Sequence, residues 1–194
     1  MRGLRALCDE YGIVLIADEV QTGFARTGTM FAMDGYDVAA DITTMAKGLA
    51  GGVPLAALTG RAELMDAANP GGLGGTYGGN PLGIAPAHAV LDVIEEEELC
   101  ARANELGSRL KQRLEQIRQT TPQLIDVRGP GFMVAAEFNT ADGSLPDADF
   151  ANRLRAEALK RNLILLTCGT YGNVVRFLAP ITISDDVFAE GLDI

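Results

Sequence analysis

The 194-residue sequence is poor in the residues that build metal centres and disulfide frameworks. His88 is the only histidine, so sites that need several histidines are excluded, and a serine or cysteine nucleophile would have to use that one imidazole as its base. Cys8, Cys100 and Cys168 are far apart and never occur in a C-x-x-C spacing. We therefore predict no metal site and no disulfide, and we expect any chemistry to come from an organic cofactor.

Basic residues and long apolar runs are also scarce. Lys and Arg number 16 against 26 Asp and Glu, a net charge of −10, which argues against nucleic acid and anionic membrane surfaces as partners. No apolar run approaches the roughly 20 residues of a membrane-spanning helix, and no secretory signal is visible at the start. We expect a cytoplasmic protein, and the 47% hydrophobic content is sufficient for a core.

Helical and strand patterns alternate in the first half of the chain. Residues 2–11 carry apolar side chains at helical spacing, and Gly12 follows as a typical C-terminal cap. The continuous apolar run at 13–17 predicts a central parallel strand covered on both faces. Further strands are predicted at 42–45 and 55–59. This alternation indicates the α/β class.

A glycine-rich stretch, residues 71–81, predicts a loop, and one long helix is predicted to begin at Pro81 and to end at Thr121-Pro122. Its apolar stripe consists of Leu99, Ala103, Leu106, Leu110, Leu114 and Ile117. Beyond it we predict strands at 124–128, 133–138, 163–166 and 174–177, a helix at about 147–161, and a final helix that begins near Ser184 and is cut short. This second half is therefore expected to form a separate α+β unit.

Two polar residues follow predicted strands of the first half. Asp18 and Lys47 both come just after strand ends, where open α/β sheets place their ligand crevice. A carboxylate and an amine together suit pyridoxal phosphate, but a capping role for Asp18 and a solvated role for Lys47 remain open. Phosphate-loop and dinucleotide fingerprints are both missing from the sequence.

Arg176 lies inside an apolar predicted strand, where an unpaired guanidinium would be costly to bury. It either pairs with a carboxylate of the protein or binds the carboxylate of a substrate. The pattern alone leaves these two alternatives equal.

Three motifs in order carry a family resemblance: LIADEVQTG at 15–23, RTG at 26–28 and TMAKGLAGGVP at 44–54. The chain resembles the class III, pyridoxal-phosphate-dependent aminotransferases along essentially its whole length, and the spacing between Asp18 and Lys47 fits that family. The stretches at 70–81 and 165–176 are most similar to members that act on 4-aminobutyrate.

The resemblance implies a fold-type I architecture. Residues 1–100 would be the C-terminal part of the large cofactor-binding domain, and residues 101–194 the small α+β domain, truncated at its end. The N-terminal half of the family's fold is missing from the sequence.

The resemblance also implies a role for each matching residue. Lys47 would form the Schiff base with pyridoxal phosphate and move the proton during transamination, and Asp18 would pair with the pyridinium nitrogen. Gln21 would hydrogen-bond near the phenolic oxygen of the cofactor. Thr76 would donate to the cofactor phosphate of the partner subunit, so a homodimer is expected. Arg176 would bind the α-carboxylate of glutamate or 2-oxoglutarate, which favours the substrate alternative.

The implied reaction transfers the amino group of 4-aminobutyrate to 2-oxoglutarate and yields succinate semialdehyde and glutamate. Alternative amine donors within the family are ornithine, acetylornithine, diaminobutyrate and 5-aminovalerate. A different hypothesis is a non-catalytic fragment that acts only as a dimerisation module.

Overall fold

The structure of the chain is a computed structural model that describes residues 1–72 and 74–194. Leu73, within the predicted glycine-rich loop, lies outside the described residues. The chain divides into two compact units, Met1–Cys100 and Ala101–Ile194.

The first unit alternates helices and strands around a three-stranded sheet. Its elements are α1 (Arg2–Tyr11), β1 (Ile16–Asp18), β2 (Ile42–Met45), β3 (Ala57–Gly60), α2 (Ala62–Met65) and α3 (Pro81–Glu96), with 3-10 turns at Ala32–Tyr36 and Lys47–Ala50. β2 lies in the centre, parallel to β1 and antiparallel to β3. The predictions of α1 and β2 are confirmed, whereas β3 begins two residues later than predicted.

The apolar run at 13–17 forms a shorter strand than predicted. Gly12 ends α1 in the left-handed conformation (φ 62°), and the N–H of Ile13 donates to the carbonyl oxygen of Cys8 over 2.8 Å. The first residue of the run thus completes the helix cap, and the strand begins only at Ile16. The prediction of a central strand covered on both faces is wrong, because β1 lies at the sheet edge and Ile16 is 57% exposed.

A buried carboxylate links the amino-terminal ends of β1 and β2 to the carboxyl end of β3. Asp41 directly precedes β2 and accepts hydrogen bonds from the N–H of Leu15 (2.7 Å), from Arg5 (2.8 Å) and from Arg61 (3.0 Å). The Leu15 N–H and then the two guanidinium groups hold the pKa of the Asp41 carboxyl well below its usual range. This one side chain links α1, β1 and the residue that follows β3.

Acid is expected to weaken the first unit at Asp41. Because the folded-state pKa is depressed, the stabilisation is present above the unfolded pKa of about 3.9 and is lost as the pH falls below it. Thermal unfolding followed by circular dichroism should therefore show a falling midpoint between about pH 4 and pH 2. Asp41→Asn should flatten this part of the profile, and a variant with the acid slope of the wild type would contradict the assignment.

The second unit is a four-stranded antiparallel sheet with helices. Its elements are α4 (Leu99–Arg118), β4 (Leu124–Arg128), β5 (Val134–Phe138), α5 (Ala148–Lys160), β6 (Leu166–Cys168), β7 (Val174–Phe177) and α6 (Asp185–Asp193), in the strand order β4-β5-β7-β6. Four further predictions are confirmed, with each bound within one residue of the predicted one: β4, β5, β7 and α5. The helix predicted to begin near Ser184 is also confirmed. β6 is displaced from the predicted 163–166.

The predicted long helix is two helices. α3 ends at Glu96 and α4 begins at Leu99, with Glu98 in the left-handed region (φ 50°) between them. The apolar stripe of α4 is buried at every predicted position except Ile117, which is 37% exposed. The core of the second unit is therefore built on the predicted face of this helix.

Among the residues that the structure describes, no helix is both long enough and apolar enough to cross a bilayer.

Candidate functional site

The strand register brings Asp18 and the Lys47 region to one edge of the first sheet. Asp18 is the last residue of β1 and pairs with Thr44 of the parallel strand β2. Lys47 follows Thr44 by three residues and lies two residues after Met45, the last residue of β2. The carboxylate and the amine therefore come from adjacent strand ends, and neighbouring strands lie about 4.8 Å apart. Both residues are exposed.

Lys47 opens a short 3-10 helix, Lys47–Ala50, which we call the lysine turn. Its backbone is left-handed at Lys47 (φ 50°), a conformation that costs free energy for a side chain with a Cβ and that clusters at functional sites. Helix α3 packs against this turn, and a Cβ placed on Gly51 would lie 3.2 Å from Val90. The turn is therefore held in a strained conformation by its neighbours.

Asp18 is aligned by the backbone that follows it. Its Oδ1 accepts a hydrogen bond from the N–H of Val20 over 3.1 Å. The second carboxylate oxygen has no protein donor among the residues that the structure describes. Asp18 thus caps the backbone that follows it, which is the capping role left open by the sequence. Its carboxylate still has one oxygen available for a ligand.

Gln21 supplies a buried polar atom without a partner. Its Oε1 is inaccessible to solvent and has no hydrogen-bond partner within the described part of the chain. An unsatisfied buried acceptor costs about 1–3 kcal/mol, so this amide is suited to a hydrogen-bonding group from outside the chain. It lies three residues after Asp18, in the segment that leaves the same strand end.

Thr76 is exposed and begins a turn that leads into α3. Within residues 1–72 and 74–194, no hydrogen bond of its hydroxyl group is found. Asn80 caps the helix, accepting from the N–H of Gly83 over 2.9 Å. Because α3 packs on the lysine turn, the loop of Thr76 is connected to that turn through one helix.

Arg176 belongs to the second unit, in the strand β7. It pairs with Ala135 of β5 on one side and with Leu166 of β6 on the other, so its two neighbours carry no charge. The side chain is half-buried, and no carboxylate of the described residues forms an ion pair with it. The alternative in which Arg176 pairs within the protein therefore finds no support in the described part of the chain.

Sequence reasoning missed Glu19, which entered it only as one letter of the motif at 15–23. Glu19 is 2% exposed, and its carboxylate accepts from the N–H groups of Ala32 (3.1 Å) and Met33 (2.9 Å) and from the hydroxyl of Thr22. A signal was present, because strand alternation places Glu19 on the face of buried Ala17, opposite to Asp18.

Comparison with known proteins shows one family. The class III aminotransferase family matches residues 1–194. The 4-aminobutyrate aminotransferase of Escherichia coli is 54% identical over 195 residues, which cover 100% of this chain and 46% of that protein. The 5-aminovalerate aminotransferase of Pseudomonas putida is 52% identical, with the same coverage of both chains. The chain thus spans about half the length of these relatives.

Solved structures show the same fold. A Bacillus anthracis aminotransferase superposes with a TM-score of 0.90 at 31% identity, covering 100% of this chain and 46% of its own. The acetylornithine aminotransferase of Elizabethkingia anophelis gives a TM-score of 0.86 at 35% identity, covering 99% of this chain and 49% of its own. The predicted α/β, fold-type I class is confirmed. The chain belongs to the class III aminotransferase family.

Proposed function

We propose that this chain carries part of the active site of a pyridoxal-phosphate-dependent ω-amino acid aminotransferase. The observation that carries the proposal is the parallel pairing of Asp18 with Thr44, which brings Asp18 and Lys47 from adjacent strand ends to one edge. The relatives act, by name, on 4-aminobutyrate and 5-aminovalerate. We infer 4-aminobutyrate as the amine donor and 2-oxoglutarate as the acceptor.

The residues at this edge fit pyridoxal phosphate chemically. Lys47 offers an amine for the aldehyde, Asp18 offers a carboxylate for the ring nitrogen, and the orphaned buried atom of Gln21 requires a polar group. Thr76 would offer a hydroxyl for a phosphate. The complete set combines one nucleophile, one counter-charge and one buried polar atom in need of a partner.

The bound cofactor supplies a protonated ring that accepts the electrons of the broken C–H bond. Asp18 would hold the proton on the ring nitrogen and thereby maintain this acceptor. Lys47 would first hold the cofactor through Nζ. The Nζ amine of Lys47 would also move the proton that leaves the amine-bearing carbon of the substrate.

Arg176 is proposed to bind a carboxylate of glutamate or 2-oxoglutarate. A half-buried guanidinium without an ion pair among the described residues can form a bidentate contact with a planar carboxylate. Its neighbours Ala135 and Leu166 do not compete for it.

We further propose a cytoplasmic homodimer, in which Thr76 donates to the phosphate of the cofactor in the partner subunit. The exposure of Thr76 and the absence of a described partner for its hydroxyl support this proposal. Sedimentation velocity of the purified chain tests it, because a monomer at all concentrations would contradict it for this chain.

Borohydride trapping tests the cofactor assignment. The purified chain is incubated with pyridoxal phosphate, reduced, digested and analysed by mass spectrometry for modified lysines. We expect one adduct, at Lys47, with Lys111 and Lys160 as unmodified internal controls. Equal labelling of all three lysines, or no labelling, would contradict cofactor binding by this chain.

A second candidate donor, 5-aminovalerate, is favoured by the Pseudomonas putida relative, whose identity of 52% is close to the 54% of the Escherichia coli relative. The two donors differ by one methylene group, which a pocket distinguishes by only about 1–3 kcal/mol. Amine-donor profiling of the cofactor-loaded protein with both compounds and with ornithine decides between them.

A further inference from the structure

We propose that Glu19 is a positioning residue for Lys47, acting through the loop that follows Glu19 and contacts the lysine turn. The inference rests on the proposed function, since it concerns the lysine that would bind the cofactor. It assigns a purpose to a fully buried carboxylate that contacts neither Asp18 nor Lys47 through any described hydrogen bond or ion pair.

The loop in question comprises residues 20–33, and we call it the glutamate loop. Glu19 holds it at both ends: near its start through the Thr22 hydroxyl, and at its end through the N–H groups of Ala32 and Met33. The carbonyl oxygen of Glu19 also accepts from the N–H of Gly23 over 3.0 Å. Glu19 thus holds the two ends of this fourteen-residue loop close to each other.

Two aromatic side chains of the glutamate loop contact each other. Phe24 and Phe31 meet edge to face with their centroids 5.6 Å apart. Phe31 directly precedes Ala32, whose N–H Glu19 binds, and Phe24 is 8% exposed. The carboxylate and the aromatic pair therefore depend on each other for their positions.

Phe24 reaches the lysine turn. A Cβ placed on Gly48 would lie 3.4 Å from Cβ of Phe24 and 3.8 Å from its Cδ2. The backbone next to Lys47 therefore rests on the side chain of Phe24. The path runs from the Glu19 carboxylate through Phe31 and Phe24 to the residue that follows Lys47.

The middle of this path and its end at the lysine turn are strained, which explains the need for an anchor. Phe24 (φ 58°) and Ala25 (φ 68°) adopt left-handed backbone conformations, as Lys47 does. Such conformations persist only where the surroundings impose them. Hydrogen bonds to a buried carboxylate are stronger than neutral ones, so Glu19 is a suitable source of that constraint.

Glutamine cannot replace this carboxylate without a conflict. Oε2 faces the N–H of Ala32 and Oε1 faces the N–H of Met33, so both ends of the side chain must accept. An amide accepts at one end only. In Glu19→Gln, one of these two N–H groups must therefore face an NH₂ group, although the size and shape of the side chain hardly change.

Hydrogen exchange of the cofactor-free chain tests the inference. In Glu19→Gln we expect exchange to rise roughly 10- to 100-fold at Ala32 and Met33 and at Leu49, whose N–H donates to Ala46. The segment at 57–61 should keep its wild-type exchange rate.

Thr22→Ala removes only the hydroxyl contact with Glu19 and should raise exchange at the same sites by a smaller factor. This variant tests the inference if Glu19→Gln fails to fold.

Asp41→Asn is the matched control, because Asp41 is also a buried carboxylate but lies before β2, at the strand ends opposite to Lys47. It should raise exchange at 57–61, or throughout the first unit, without singling out Leu49. The inference is overturned if Leu49 keeps its wild-type exchange rate while Ala32 and Met33 lose protection, or if none of these sites responds.

Labelling of Lys47 by pyridoxal phosphate separates this inference from the proposed function. At an equal folded fraction, we expect the labelling rate to fall about tenfold in Glu19→Gln and to change little in Asp41→Asn. If the wild-type chain is not labelled at all, the proposed function fails for this chain. The exchange rates at Leu49 still decide whether Glu19 positions the lysine turn.

Discussion

Gly107→Ala is expected to destabilise the second unit strongly. A Cβ on Gly107 would lie 2.5 Å from the carbonyl carbon of Gly131, closer still to its oxygen, and 3.2 Å from the N–H nitrogen of Phe132. These are backbone atoms, and Leu106 and Phe132 beside them are 0% and 1% exposed, so neither element can move away freely. We expect a loss of about 3 kcal/mol or more, which exceeds the gain of about 1 kcal/mol from helix propensity. Urea unfolding with hydrogen exchange of peptides from 101–194 measures it.

Gly191→Ala is the matched control for this prediction. Gly191 lies in the helix α6 of the same unit, and a Cβ there would meet only a methyl group of Leu163 at 3.9 Å. The substitution should therefore be neutral or stabilise by up to about 1 kcal/mol. If Gly107→Ala were as stable as Gly191→Ala, α4 could not pack against residues 131–132 as described.

Local sequence signals predicted most elements of the fold, because each depended on one short pattern. The helix α1 was predicted together with its Gly12 cap, and β4 and β7 have the predicted bounds. In these places the apolar periodicity, the cap residue and the final structure agree. No long-range contact was needed to recognise them.

Of the three strands that begin at least two residues later than predicted, β1 and β6 have the same physical cause. Ile13 and Leu163 begin apolar runs, and each donates its N–H to a carbonyl oxygen of the preceding helix, Cys8 and Ala158 respectively. The residue before each is left-handed, Gly12 at φ 62° and Asn162 at φ 66°. An apolar residue after such a cap completes the helix end before any strand begins, and the composition of the run does not show this.

The break between α3 and α4 and the burial of Glu19 depended on tertiary structure. Glu98 adopts a left-handed conformation that its sequence does not favour, and Glu19 is buried because the backbone of residues 32–33 returns to it. Asp18 and Lys47 could be proposed from the sequence, since each follows a strand. Their common edge became visible only through the pairing of β1 with β2.

Lys47→Ala is expected to abolish covalent capture of pyridoxal phosphate and to lower amino-group transfer by the cofactor-loaded protein by about 10³-fold or more. The reason is that Lys47 would supply both the covalent bond and the proton transfer, and no other lysine occurs among residues 1–100. Mass spectrometry after borohydride reduction measures capture. Formation of succinate semialdehyde from 4-aminobutyrate measures transfer.

Lys160→Ala and Asp18→Asn make this prediction specific. Lys160 is an exposed lysine of α5 that pairs with Glu157 over 2.6 Å, so its removal should change neither cofactor capture nor amino-group transfer.

Asp18→Asn leaves the Lys47 amine in place and removes only the negative charge at the end of β1. It should retain capture while transfer falls by roughly 10²- to 10³-fold, because a neutral amide does not hold the ring nitrogen protonated. Capture that persists in Lys47→Ala would contradict the role of Lys47, and equal transfer in Asp18→Asn and the wild type would contradict the role of Asp18.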